Sequence, residues 1–124
     1  MLARKFLFKP ERVGLHMATI LVTGASGMLG QHLVPMLKNK GHSVLTPSRH
    51  ELDLSNAHAT SEYIESNLPN FVVHCAAFVA GIASSKTIKH HSLDQNISMG
   101  LNLIRACVHH GVANSVMNTC SNKV

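Results

Sequence analysis

The sequence predicts an α/β fold, a doubly wound parallel sheet with helices on both faces. Three observations predict it. A short apolar run, Ile20-Leu21-Val22, leads into glycines at 24, 27 and 30 and then into an amphipathic pattern. A second run, FVVHCAA at 71–77, is apolar nearly throughout, as a strand covered on both faces requires. Segments of helical periodicity lie between and after these runs, so strand and helix alternate along the chain.

The first strand ends at Thr23, and the turn behind it reads G-x-x-G-x-x-G. This spacing differs from the general G-x-G-x-x-G dinucleotide fingerprint, but the strand before it and the helix after it are the context such a motif needs. A tight turn off a strand demands backbone angles that a Cβ resists. A pyrophosphate reaches the main chain only where no side chain intervenes. The next helix offers it free N–H groups and a positive dipole end. The third glycine lets that helix pack close to the strand. The candidate cofactor-binding residues here are Gly24, Ser26 with its hydroxyl, Gly27, Met28, Leu29 and Gly30.

The first helix is expected over 28–39, with Leu29, Leu33, Met36 and Leu37 inward, Pro35 bending it and Gly41 ending it. A short strand follows at 43–46. Behind it, an acid would hydrogen-bond the ribose hydroxyls of NAD, whereas an arginine would accommodate the 2′-phosphate of NADP. Arg49 stands there and the nearest acid is Glu51. This favours NADP and leaves NAD open. Leu52-Asp53-Leu54 is expected to end a third strand, with Asp53, and Leu54 beside it, at the adenine edge. Ser55 is the expected N-cap of a helix over 56–67 that turns Tyr63 and Ile64 inward and stops at Pro69.

The fourth strand is 71–77, where small Ala76 and Ala77 leave room for a flat adenosine. Residues 78–91 read as a long loop. A helix over 92–110 follows, with Leu93, Ile97, Leu101, Ile104 and Val108 repeating at period 3.6 as its inner face and Gly111 ending it. A fifth strand is expected within 112–119, giving strand order 3-2-1-4-5.

The chain has 124 residues, enough for one domain and one core. Its net charge is +5, but the first sixteen residues hold Arg4, Lys5, Lys9 and Arg12 against Glu11. The remainder carries seven basic and five acidic residues, a balance of +2. No basic stripe with interleaved aromatics suggests nucleic acid, and no apolar run approaches the ~20 residues of a membrane span. Residues 1–16 are expected to be a disordered extension, Met17 the natural start, and 17–124 the domain. The odd count of cysteines (75, 107 and 120) and the lack of a signal peptide point to reduced thiols in the cytoplasm. Ten histidines show no metal-ligand spacing and read as surface or capping groups.

Three segments together resemble the extended short-chain dehydrogenase/reductases, the nucleotide-sugar epimerase/dehydratase family. They are VTGASGMLG at 22–30, VVHCAA at 72–77 and QNISMGLNLIRACVHHGV at 95–112. The resemblance implies a Rossmann-like fold binding NAD(P), and it adds Asn96, in the third segment, to the cofactor-binding candidates. AAFVAGI at 76–82 is similar to the AA-x-VGGI of GDP-L-fucose synthases, NADPH-dependent enzymes acting on GDP-4-keto-6-deoxymannose, with Ala80 in place of the first glycine. The segment from Arg49 to Leu54 also looks like dTDP-4-dehydrorhamnose reductases.

The family's chemistry needs a serine or threonine and a Tyr-x-x-x-Lys, whose tyrosine is the acid/base. Ser121 matches the first, and a competing alignment puts Cys120 there. The only tyrosine is Tyr63, followed four residues on by Asn67, so the pair is absent from these residues. The resemblance therefore implies the N-terminal part of such an enzyme, cut before the sixth strand and substrate domain and inactive alone. Its partner is a dinucleotide, and a nucleotide sugar only if a C-terminal part completes it. The alternatives are a stand-alone NADP-binding sensor or subunit, and a non-catalytic remnant. An unpaired last strand is expected to promote self-association.

Overall fold

The computed structural model describes residues 17–78, 86–112 and 116–118. They form β1 (Thr19–Thr23), α1 (Gly30–Asn39), β2 (Ser43–Leu45), α2 (Ala57–Asn67), β3 (Phe71–His74), α3 (Lys86–His109) and β4 (Val116–Asn118). The strands make one parallel sheet in the order β2-β1-β3-β4. The expected Rossmann-like class is present, with one strand fewer than expected. Leu52-Asp53-Leu54 is not a strand. It is a turn whose two leucines, each 5% exposed, plug the core beneath α2 and α3. Two apolar residues flanking one acid satisfy a strand and a core-plugging turn equally well, and here the segment forms no ladder with β2, whose outer edge stays unpaired among the described residues.

Alternation along β1 divides its side chains between the two faces. Leu21 joins Val72, Ile64, Leu103, Ala106 and Cys107 in the core shared with α2 and α3. Ile20 and Val22 are equally buried on the opposite face, where α1 lies against β1 and β2. β3 is covered less evenly than its composition suggests, since Phe71 is half exposed. Its ladder stops at His74, three residues short of the expected end.

The helix ends follow local chemistry. α2 is capped by Asn56, whose Oδ1 accepts from the N–H of Ala59 at 3.0 Å, and not by Ser55, whose hydroxyl donates to Asp53 at 2.6 Å. Helix α1 starts at Gly30, two residues late, and keeps Pro35 inside it. Its Leu29 and Met36, expected inward, are 49% and 57% exposed. Gly41 and Gly111 adopt positive φ just past α1 and α3, as their places at the helix ends imply.

Helix α3 overturns two expectations. It begins at Lys86, inside the expected loop. It is also rotated. Leu93, Ile97, Leu101, Ile104 and Val108 all face outward, between 41% and 60% exposed. The face turned to the sheet and α2 carries Asn96, Met99, Gly100, Leu103, Ala106 and Cys107. Both stripes have helical period, and the small residues win the inner side because they allow a close approach to the sheet. The 1–16 extension, residues 79–85 of the expected loop, and Cys120 and Ser121 lie outside the described residues.

Candidate functional site

The glycine turn lies at the C-terminal end of β1, beside the end of β3. Gly24 has φ +69°, and a Cβ on it would stand 2.6 Å from the backbone N of Ala76. Gly30 is buried, and a Cβ there would drive into the carbonyl of Gly24 and to 2.6 Å from the Cα of Ala25. These two glycines are required by the fold itself. Gly27 differs. It is exposed, its φ is not positive, and its Cβ would meet only the Gly24 carbonyl, at 3.2 Å. Its amide closes the turn onto that carbonyl at 3.0 Å. Of the three glycines, 27 is the one whose Cβ would meet least of the fold.

Helix α1 begins on this turn with an open N-terminus. Leu29 occupies the cap position with no side-chain hydrogen bond, and the first turn holds no acid. The positive end of the dipole is thus left to whatever lies in front of it. Met28 is 82% exposed, so it and Leu29 can serve a ligand through their main chain. Ser26 is exposed beside them.

Beyond β2, residues 48–51 form a reciprocal cap. The Glu51 carboxylate accepts from the N–H of Ser48 at 2.6 Å, and the Ser48 hydroxyl accepts from the N–H of Glu51 at 3.3 Å. The backbone and hydroxyl of Ser48 hold the Glu51 carboxyl below its usual range. Glu51 is therefore occupied, and Arg49 near it is exposed. Asp53 is turned onto Ser55, accepting from its hydroxyl at 2.6 Å and its N–H at 3.0 Å. The hydroxyl and then the N–H hold the Asp53 carboxyl low against an opposing effect of burial, with a lesser contribution from the nearby Arg49 charge. The Leu54 side chain lies in the core, so only its main chain faces outward chemistry, and its carbonyl accepts from the Asn102 amide at 2.9 Å.

Ala76 is half-buried against the glycine turn and Ala77 is exposed. Asn96 is engaged with the chain just beyond them. Its Oδ1 accepts from the N–H of Phe78 at 2.6 Å and its Nδ2 donates to the carbonyl of Phe78 at 3.0 Å. Asn96 thus fixes the segment that follows Ala77. The structure brings Gly24, Gly27, Gly30 and Ala76 together. Ser121 lies outside the described residues.

Sequence reasoning passed over Thr23 and His74, which meet at the last rung of β1 and β3. Thr23 Oγ1 and His74 Nδ1 are 2.6 Å apart, and both residues are buried. The available signal was a polar residue ending each of two apolar strands. Burial lowers the pKa of His74. Tyr63 sits on α2, half-buried, with its pKa raised by burial and then by the charge of Glu51. It is thereby kept neutral and is not poised as an acid/base. Burial pushes the Cys107 thiol up to about 11, so it is inert. Buried His74 departs from the expectation of surface or capping histidines, whereas His42 accepts from the N–H of Ala18 and His110 meets Ser61 at 2.9 Å. A shallow groove between α2 and α3, lined by Ser61, Arg105 and His109 among others, shares no residue with the glycine turn. No described helix is long and apolar enough to cross a membrane.

Residues 20–124 match the NAD dependent epimerase/dehydratase family. The chain is 38% identical over 87 residues to the GDP-L-colitose synthase of Yersinia pseudotuberculosis, covering 70% of this chain and 28% of that protein. It is 38% identical over 85 residues to the GDP-L-fucose synthase of Azorhizobium caulinodans, covering 68% and 27%. It thus spans less than a third of these curated relatives. A crystal structure of a GDP-L-fucose synthetase from Naegleria fowleri bound to NADP superposes with a TM-score of 0.68 at 26% identity, covering 82% of this chain and 30% of that one.

Proposed function

The chain belongs to the NAD dependent epimerase/dehydratase family, and from that premise we propose that residues 17–124 are the dinucleotide-binding domain of a nucleotide-sugar epimerase/reductase of the GDP-4-keto-6-deoxymannose type. Gly27 carries this reading, because its exposure and ordinary φ leave close approach of a ligand as the reason for glycine. The pyrophosphate lies over Gly24, Ser26 and Gly27 and faces the main chain of Met28, Leu29 and Gly30. Adenosine lies across Ala76 and Ala77, near Asp53 and Leu54. Arg49 meets the 2′-phosphate, so NADP binds more tightly than NAD. Asn96 shapes the far wall through Phe78. When bound, the nicotinamide supplies or accepts a hydride.

These residues by themselves hold cofactor and do not turn over substrate. Their only tyrosine is Tyr63, with Asn67 where the family's lysine stands. The catalytic position offered by Ser121 belongs to the same proposal, as does a cytoplasmic location with reduced Cys75 and Cys107. Titration of residues 17–124 with NADPH and NADH by fluorescence and calorimetry tests the reading. Saturable binding, tighter for NADPH, supports it. No binding by a folded chain leaves the non-catalytic remnant as the answer.

Self-association is proposed alongside. Among the described residues β4 pairs on one side only, Met117 is 63% exposed, and α3 carries its outward apolar stripe. Concentration-dependent size-exclusion elution is expected, and a sharp monomer peak at high concentration refutes it.

A further inference from the structure

The end of β1 is tied to the end of β3 by more than the sheet ladder. The last ladder contacts pair Thr23 with His74, and the carbonyl of Thr23 accepts from the N–H of Cys75 at 3.1 Å. One residue further on, the backbones enter the cradle. There Gly24 has no slack, since even a Cβ would stand 2.6 Å from the N of Ala76. Beside the ladder, the Thr23 hydroxyl ties the two chains at this spacing. Its Oγ1 accepts from the N–H of Ala76 at 3.4 Å and lies 2.6 Å from Nδ1 of His74. A hydroxyl has one donor and two acceptor sites, so Thr23 Oγ1 can hold the Ala76 N–H and the imidazole Nδ1 at once.

The ring is backed by α3. A Cβ on Gly100 would stand in ordinary contact with Nε2 of His74, at 4.0 Å, so the imidazole lies directly beneath the helix. One turn earlier the same helix places Asn96, whose amide grips both backbone groups of Phe78. The exit of β3 is therefore anchored twice, to β1 through Thr23 and His74 and to α3 through Asn96.

We propose that Thr23 and His74 form a positioning pair that sets the gap between the glycine turn and the end of β3, and so sets dinucleotide affinity without touching the ligand. The inference rests on the dinucleotide reading of the same crevice. A pair that merely fills the core would respond to lost volume. A positioning pair responds to the lost hydroxyl, because the Ala76 N–H and the imidazole Nδ1 lose the oxygen they share, which lets the turn and the strand end drift.

Two substitutions at Thr23 separate these roles. Thr23→Val keeps the shape and removes the hydroxyl, whereas Thr23→Ser keeps the hydroxyl and removes a methyl group. NADPH titrations of both, beside the wild type and with melting temperatures recorded, give the comparison. The expected result is binding weakened about tenfold by valine, the factor one lost hydrogen bond carries, and serine within about threefold of the wild type. Valine binding like the wild type, or serine losing as much as valine, overturns the inference and leaves the dinucleotide reading standing. A wild type that does not bind NADPH overturns both. A second measurement serves if the valine variant does not fold. Nitrogen-15 NMR of the wild-type imidazole should show Nδ1 of His74 engaged in a hydrogen bond, and the shift of a free Nδ1 refutes the pair.

Discussion

Replacing Gly27 by alanine adds one methyl group at the place where the glycine turn meets its ligand. The new Cβ would stand 3.2 Å from the Gly24 carbonyl, a tight contact that a small shift relieves. Against it stands the reduced freedom of the unfolded chain, which stabilises by about 0.4–1 kcal/mol at a position of compatible φ. The two nearly cancel, so stability should change by less than about 1 kcal/mol, a shift in melting temperature within about 4–8 °C. At Gly30 the same change meets the Cα and carbonyl of Ala25 at 2.6 and 2.7 Å, backbone atoms that cannot rotate aside. Overpacking of that kind costs about 1–3 kcal/mol or more. Binding should order the variants the other way. Methylation at Gly27 lifts a phosphate off the main chain, and losing one or two charge-assisted bonds at roughly 1.5–3 kcal/mol each weakens NADPH at least tenfold and up to a hundredfold or more. The assay is NADPH titration beside thermal unfolding of the wild type, Gly27→Ala and Gly30→Ala. A Gly27→Ala protein that binds within threefold of the wild type refutes the reasoning, as does one less stable than Gly30→Ala.

Arg49→Ala should weaken NADPH about tenfold, the low end for a charged hydrogen bond because the site is exposed, and leave NADH within twofold; equal losses for both cofactors would show that Arg49 meets no 2′-phosphate. Asn56→Ala should cost about 1 kcal/mol of stability, as a lost N-cap does, whereas Ser55→Ala should cost less in urea unfolding; the reverse order contradicts the observed cap. Because burial lowers the His74 pKa from the unfolded 6.5, the unfolded chain binds the extra proton between the folded value and 6.5. Stability is then complete above pH 6.5 and falls as pH drops below it. Urea midpoints from pH 7.5 to 5 should show this fall, and a His74→Asn chain with the same slope would assign it elsewhere.

The sequence by itself determined the local grammar of this protein. The apolar run before Gly24, the glycines at 24, 27 and 30, Gly41 and Gly111 past two helices, and the two apolar strands are local features, and each specifies its own backbone. They sufficed for the fold class and for the position of the glycine turn. Tertiary structure decided which surfaces those elements present. The periodicity of α3 contains two stripes, and only packing against the sheet and α2 shows that Met99, Gly100, Leu103, Ala106 and Cys107 take the inside while Leu93, Ile97 and Leu101 stay out. Leu52 and Leu54 could have formed a strand on the open edge of β2, but both side chains turn into the core instead. The three glycines look alike in sequence, yet Gly24 and Gly30 answer to Ala76 and Ala25, while a Cβ on Gly27 would meet only the Gly24 carbonyl. Thr23 and His74 lie 51 residues apart in the chain. Their contact exists only because β1 and β3 pair side by side, and no local rule reports the distance between two strands before the sheet has formed.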